Sequence, residues 1–180
     1  MGFLLLAASL IYLDGIHLFV QVLAACVLHE MGHCAAARST GGRICALHLT
    51  AVGAEIGFDR TAPLSYAQDA WIAFAGPATN LIVAGVAVQV EANLLAGLNF
   101  SFGILNLLPI CPLDGGRILG ALLAYFLPEQ AEKILFGFSV LISGIFLGLG
   151  WAAWCRWGNL TLLCTAVWLV VRMTRDQNNF

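Results

Sequence analysis

Apolar residues run through this chain in long stretches, separated by short polar, glycine-containing or proline-containing segments. Such runs are typical of helices surrounded by lipid, and a helix needs about 20 apolar residues to span a bilayer. The pattern predicts apolar segments at residues 3–13, 16–37, 71–90, 94–108, 118–127, 131–154 and 157–173. The first segment is short for a span. We therefore expect an all-α, polytopic transmembrane helix bundle with five to six spans.

Residues 43–60 depart from this pattern. Their apolar runs are short and are interrupted by Gly53 and Gly57, which favours two short strands over a helix. One interpretation is a β-hairpin lying at the membrane interface, whose exposed edge could pair with an extended peptide. The other is a loop that only connects two helices.

Composition supports a membrane location for the whole chain. Of its 180 residues, 61% are hydrophobic and 10% are charged, against about 25% charged in soluble domains. Because five or six spans use most of this length, we expect a single membrane-embedded domain over 1–180. Its core would be about 16–127, with accessory segments at 1–15 and 128–174.

The charges indicate partners and orientation. A net charge of −2 without a basic run argues against nucleic acid as a partner. Counted by alternating spans, seven basic residues fall on the side nearest residues 29–33 and only Arg156 falls opposite. The seven are Arg38, Arg43, Arg60, Arg117, Lys133, Arg172 and Arg175. The positive-inside rule then places residues 29–33 toward the cytoplasm.

The candidate chemistry begins with His29, Glu30 and His33, which form an HExxH motif inside the second apolar segment. On a helix the two histidines lie about 40° apart and one turn from each other, so both rings can reach one cation. HExxH on a helix is the zincin signature, in which the histidines bind zinc and the glutamate serves the reacting water as a base. A polar cluster that only fills a helix bundle is the alternative, although ionisable groups within a membrane usually have a function.

Two helix breaks add polar groups at membrane depth. In the segment 76–80, Pro77 frees a backbone carbonyl and Asn80 supplies an amide, which could bind another helix or a substrate carbonyl. The segment 106–117 contains two prolines and two glycines, and so cannot continue a helix. Irregular backbone at this depth is tolerated where it is buried in protein or lines a cavity. Asp114, in that break, is therefore a candidate third metal ligand.

Other third ligands fit less well. The metzincin pattern requires glycine and histidine where Ala36 and Ser39 stand, so that pattern fails. Glu55 and Asp59 belong to the predicted hairpin, outside the helix bundle. Asp114 is expected at the depth of the HExxH motif and on the same side of the membrane. The six cysteines form no CxxC pair that would indicate a thiolate zinc site.

Three motifs together resemble the site-2 proteases, the intramembrane metalloproteases of peptidase family M50. They are HEMGH at 29–33, GPxxN at 76–80 and NLLPICPLDGG at 106–116. The resemblance covers about residues 16–127. The chain is most similar in character to the small branch that includes a sporulation protease acting on a membrane-tethered pro-sigma factor. No motif here separates that branch from stress-response relatives, which would cleave an anti-sigma factor.

The resemblance implies a site and an activity. The implied site is one zinc ion held by His29, His33 and Asp114, Glu30 as the general base, and Asn80 and Asn106 near the scissile peptide. The implied enzyme is a multi-pass zinc metalloendopeptidase of the cell membrane, which cleaves within or next to a transmembrane segment of a membrane-tethered protein substrate. A separate regulatory membrane protein is a further expected partner.

The rival hypothesis is a metal transporter or channel that uses the same three ligands during transit. It leaves Glu30 without a role, and few polar residues lie toward the opposite face. Serine-type proteolysis is disfavoured because no GxSxG turn occurs. An aspartyl mechanism is disfavoured because Asp114 lacks an evident intramembrane aspartate partner.

Overall fold

A computed structural model describes residues 16–41, 43–49, 54–59, 63–158, 163–164, 166–168 and 170–171. Its elements in chain order are α1 (Ile16–Ser39), β1 (Arg43–Leu49), β2 (Ala54–Asp59), α2 (Tyr66–Gln89), α3 (Asn93–Asn106), α4 (Asp114–Phe126) and α5 (Ala131–Trp157). The predicted apolar segment at 3–13 lies outside the described residues, as does much of the predicted final helix at 157–173.

Helices dominate the described residues, and the predicted all-α class is confirmed. In this part of the chain, α1, α2 and α5 are long and apolar enough to cross a membrane, by length and composition. The total of five to six spans stays a prediction.

The two strands pair antiparallel, from Arg43 opposite Asp59 to Leu49 opposite Ala54, with an irregularity between Ile44 and Ala46. The linking residues 50–53 lie outside the described residues. A position of this pair at the membrane interface stays a prediction.

The chain divides into two compact units, Met1–Leu107 and Leu108–Phe180. A single domain over 1–180 stays a prediction.

In the first unit, α1 and α2 pack closely through small residues. A Cβ atom added at Gly32 of α1 would overlap the Thr79 hydroxyl and the Ala75 carbonyl of α2. Ala36 and Ala37 of α1 are buried against Ile72 of α2. Small residues of this kind let membrane helices approach until their backbones are nearly in contact. This approach brings α2 within hydrogen-bonding distance of the α1 histidines.

Helix α2 begins at Tyr66, five residues before the predicted segment. Ser65 is its N-cap: the Ser65 hydroxyl accepts from the Gln68 N–H at 3.2 Å, and the Gln68 side chain accepts from the Ser65 N–H at 3.0 Å. This capping box makes a polar stretch helical where hydropathy alone indicates a surface loop.

In the second unit, α4 begins at Asp114, whereas the helix was predicted to resume only at Ile118. The glycines at the start of α4 serve close packing. A Cβ at Gly116 would lie 2.5 Å from the Ile110 carbonyl oxygen, so the preceding loop folds back against the helix start.

Two further hydrogen bonds fix that loop. The Leu113 N–H donates to the Ile110 carbonyl at 2.7 Å. The Cys111 N–H donates to the Ser139 hydroxyl of α5 at 3.0 Å, and that hydroxyl donates to the Leu135 carbonyl at 2.8 Å. The backbone that leads into Asp114 is therefore held by α5.

Helix α5 continues to Trp157, three residues beyond its predicted end. The next residue, Gly158, caps the helix: its φ of 67° is left-handed, and its N–H donates to the Trp154 carbonyl. Glycine adopts this conformation at helix ends without the steric cost of a Cβ atom.

Candidate metal site

His29 and His33 lie one turn apart on α1 and are nearly buried, with 5% and 8% of their surface exposed. Their Nε2 atoms are 3.1 Å apart, and the two rings are nearly perpendicular at 86°. The helical spacing of the HExxH motif thus produces the convergence of imidazole nitrogens that it predicts.

The protonation of His33 follows from its partner. Its Nδ1 lies 2.7 Å from the Ile72 carbonyl oxygen, which can only accept, so Nδ1 carries the hydrogen. In the neutral ring, Nε2 then carries a lone pair and no hydrogen.

Gly76 of the GPxxN motif leaves room for the His33 ring beside Ile72. Gly76 faces the His33 ring, and a Cβ atom there would overlap the ring nitrogen Nε2. Pro77, the next residue, lies inside α2 and has no N–H to donate to the Ala73 carbonyl.

His29 is oriented by Asn80, the last residue of the same motif. The His29 Nδ1 lies 2.7 Å from Asn80 Oδ1. The Asn80 Nδ2 donates to the Ala25 carbonyl at 3.1 Å and to Asn99 Oδ1 at 2.9 Å. A reversed amide would place its oxygen against the Ala25 carbonyl oxygen, so the observed orientation is the one that satisfies all partners. His29 therefore also carries its hydrogen on Nδ1.

These nitrogen donors fit a zinc ion. Two nitrogen ligands at about 2.0–2.1 Å from a tetrahedral zinc lie about 3.3 Å apart, close to the observed 3.1 Å between the Nε2 atoms. Each ring also donates its other N–H to an oxygen, the arrangement that fixes metal-binding histidines in proteins. Two neutral rings hydrogenated on Nδ1 cannot bond each other through Nε2, whereas both can bind one cation.

Glu30 and Asn106, the other predicted site residues of the first unit, lie on α1 and α3. Glu30 is half-buried on α1 beside His29. Asn106 ends α3, and its Nδ2 donates to the Phe102 carbonyl at 2.9 Å. The Phe102 ring contacts His29 edge to face, with centroids 5.4 Å apart. Asn106 is thus one helical turn from a residue that contacts the site.

Asp114 belongs to the second unit, in the first turn of α4, and only 9% of its surface is exposed. A carboxylate in this position is stabilised by the positive end of the helix dipole. Its role as the third ligand stays a prediction.

Sequence reasoning missed Asn99. It is fully buried on α3, between Asn80 and the Leu95 carbonyl. An asparagine inside an apolar helix was the available signal, because a buried amide in a membrane helix requires partners.

Comparisons with known proteins find similar sequences and a similar fold. The model of peptidase family M50 matches residues 91–146. Rip3 of Mycobacterium tuberculosis is 28% identical over 172 residues, covering 83% of this chain and 41% of Rip3. The zinc metalloprotease MJ0392 of Methanocaldococcus jannaschii is 32% identical over 119 residues, covering 59% of this chain and 34% of MJ0392.

Among solved structures, the site-2 protease from Methanocaldococcus jannaschii matches with a TM-score of 0.73 and 25% identity. The match covers 96% of this chain and 85% of that chain. By contrast, the chain spans roughly two fifths or less of the length of the curated relatives reported above.

Fold and site together define a largely helical membrane protein with two converging histidines on its first described helix. The chain is similar to members of peptidase family M50 in sequence and in fold.

Proposed function

We propose that this chain is an intramembrane zinc metalloendopeptidase, which cleaves a peptide bond within or next to a transmembrane segment of a membrane-tethered protein. The observation that carries the proposal is the pair of Nε2 atoms of His29 and His33, 3.1 Å apart, each on a ring whose Nδ1–H is bound to an oxygen. The relative MJ0392 is named a zinc metalloprotease, and the matching structure is a site-2 protease.

One zinc ion would be held by His29, His33 and Asp114. When bound, zinc supplies a Lewis acid that polarises a carbonyl and lowers the pKa of water toward about 7. The donor set of two imidazoles and a carboxylate is typical of catalytic rather than structural zinc sites, because it leaves a coordination position for water or substrate.

Glu30 acts as the general base. Its carboxylate takes a proton from the attacking water and later delivers that proton to the leaving amine. Support for this role is its position beside His29 on α1, next to one of the proposed ligands. Asn106, one turn from Phe102, is proposed to bind the backbone of the scissile peptide.

The substrate helix must unwind at the cleavage site, because helical hydrogen bonds and packing shield its peptide bonds. Glycine, proline or asparagine in the substrate would favour this, since they weaken helices. A membrane-tethered pro-sigma factor or anti-sigma factor is the proposed substrate class, within regulated intramembrane proteolysis that is controlled by a separate membrane protein. Nucleic acid is not an expected partner.

The proposed location is the cell membrane, with several spans and the active site toward the cytoplasm. Support comes from the seven-to-one distribution of basic residues. Accessibility tags after Arg60 and near Asn93 test it: the first should report the cytoplasm and the second the opposite side. A tag after Arg60 that reports the outside would refute the orientation.

The experiment that tests the activity compares wild type with Glu30→Gln in liposomes containing a candidate transmembrane substrate. The amide keeps the size of the side chain but cannot accept the proton, so cleavage should fall about 10²- to 10⁴-fold. Bound zinc should remain. The control is Gln89→Glu, a change of the same size at the exposed end of α2, which should leave cleavage unchanged.

A transporter predicts a different result, because its flux would depend on the ligands and change little in Glu30→Gln. Zinc retained with undiminished cleavage in this variant would exclude the proposed mechanism. Absence of cleavage by wild type across a panel of transmembrane substrates, with zinc flux into the liposomes, would favour the transporter.

A further inference from the structure

We propose that Asn99, acting through Asn80, is a positioning residue that fixes the His29 imidazole with its hydrogen on Nδ1 and its Nε2 lone pair toward His33. This inference rests on the zinc site of the proposed function. It assigns a role to a buried residue of α3 that lies outside all three sequence motifs.

The Leu95 carbonyl, at the end of the network farthest from His29, determines which group donates in each hydrogen bond. The Leu95 carbonyl can only accept, so the Asn99 Nδ2 must face it, at 2.9 Å. The Asn99 Oδ1 then faces Asn80 and accepts from Asn80 Nδ2 at 2.9 Å. The Asn80 Oδ1 is thereby turned to His29, whose Nδ1 lies 2.7 Å away. These linked hydrogen bonds allow one tautomer of the neutral His29 ring, the one with its hydrogen on Nδ1.

The network joins the three helices that the structure describes in the first unit. Asn80 lies on α2, accepts from His29 on α1 and donates both to Ala25 on α1 and to Asn99 on α3. Asn80 and Asn99 are both 0% exposed. Both N–H groups of the Asn80 amide are therefore used inside the protein.

This geometry bears on the two roles that the sequence left open for Asn80. A substrate contact would have to use the second lone pair of a fully buried Oδ1, because the two N–H donors are engaged. Orientation of His29 requires only the bonds already present. We therefore assign Asn80 to the support of the metal ligand.

The first experiment measures zinc affinity by chelator competition for the purified chain in detergent. Asn80→Leu removes the acceptor of the His29 N–H, so zinc should bind about 10- to 100-fold more weakly. Asn80→Asp keeps that acceptor and should retain an affinity close to wild type. The control Gln89→Leu replaces an exposed amide at the end of α2, and it should bind zinc as wild type does.

Thermal unfolding of the zinc-free protein separates positioning from a general structural role. Asp at position 80 loses both N–H donors to Ala25 and Asn99, so the Asn80→Asp variant should melt at a lower temperature than wild type. Affinity retained together with lowered stability indicates that the acceptor at His29 matters for zinc. Affinity that falls in parallel with stability in both Asn80 variants would overturn the inference.

The second experiment tests Asn99. Asn99→Leu removes one of the two acceptors that orient the Asn80 amide, the other being the Ala25 carbonyl, and zinc affinity should fall by up to about 10-fold. Because Asn99 acts through Asn80, the double variant Asn80→Leu/Asn99→Leu should bind zinc no more weakly than Asn80→Leu alone. Unchanged affinity in Asn99→Leu, or losses that multiply in the double variant, would contradict the assignment.

The result also separates this inference from the proposed function. Normal zinc binding by wild type with equally tight binding by Asn80→Leu would overturn the inference alone. Failure of wild type to bind zinc would remove both.

Discussion

Replacing Gly76 by alanine should weaken zinc binding through His33. A Cβ atom at this position would overlap the His33 Nε2 and would lie 2.5 Å from Cε1 and 2.9 Å from Cδ2. Carbon atoms pack at about 3.5–4.0 Å, so the ring must move by about 1 Å. The hydrogen bond from Nδ1 to the Ile72 carbonyl, at 2.7 Å, opposes that movement.

The expected loss follows from this displacement. Zinc requires its nitrogen ligands at about 2.0–2.1 Å, and moving the ring by 1 Å removes His33 from that position. We expect zinc affinity to fall by at least the 10- to 100-fold seen when the support of a ligand is lost. Overpacking should also cost about 1–3 kcal/mol of stability, and a Cβ is disfavoured in a helix just before Pro77.

The assay is chelator competition for zinc, with thermal unfolding measured alongside. Gly85→Ala is the matched control on α2. Apart from its chain neighbours and the backbone of its own helix, no heavy atom of the described residues lies within 4 Å of the added Cβ. This control should bind zinc normally and gain up to about 1 kcal/mol from helix propensity. Wild-type zinc affinity in Gly76→Ala would refute the proposed contact between α2 and His33.

Two further predictions concern the second unit. Asp114→Ala should lose zinc and cleavage, whereas Glu55→Ala should keep both; stoichiometric zinc in purified Asp114→Ala would refute the third ligand. Ser139→Ala should destabilise the protein by about 1–3 kcal/mol, because the Cys111 N–H loses its acceptor in the loop before Asp114. Ser143→Ala is its control, since the buried Ser143 hydroxyl has no hydrogen-bond partner within the described part of the chain; equal unfolding temperatures for the two variants would contradict this.

The local site geometry was predictable from sequence where it depends on helical periodicity. His29 and His33 are four residues apart in an uninterrupted apolar segment, and any α-helix there places them one turn apart. The long apolar helices were predictable for a similar reason, because the requirement to span a bilayer fixes their length and composition.

Features that depend on contacts between segments were harder to predict. The glycines after Asp114 read as a helix break, yet α4 includes them because Gly116 lies against the Ile110 carbonyl. Asn80 had two open roles, which are distinguished only by its contacts with His29 on one helix and Asn99 on another. Such contacts join residues distant in sequence, and hydrophobic periodicity carries no information about them.

The central claim is a zinc site in which His29 and His33 bind through Nε2. X-ray absorption spectroscopy of the chain loaded with one equivalent of zinc tests it most directly. We expect imidazole scattering from two nitrogen ligands at about 2.0–2.1 Å with oxygen completing a tetrahedral shell, and loss of one imidazole in either His29→Gln or His33→Gln. Sulfur scattering at about 2.3 Å, or a spectrum that neither substitution changes, would contradict the claim.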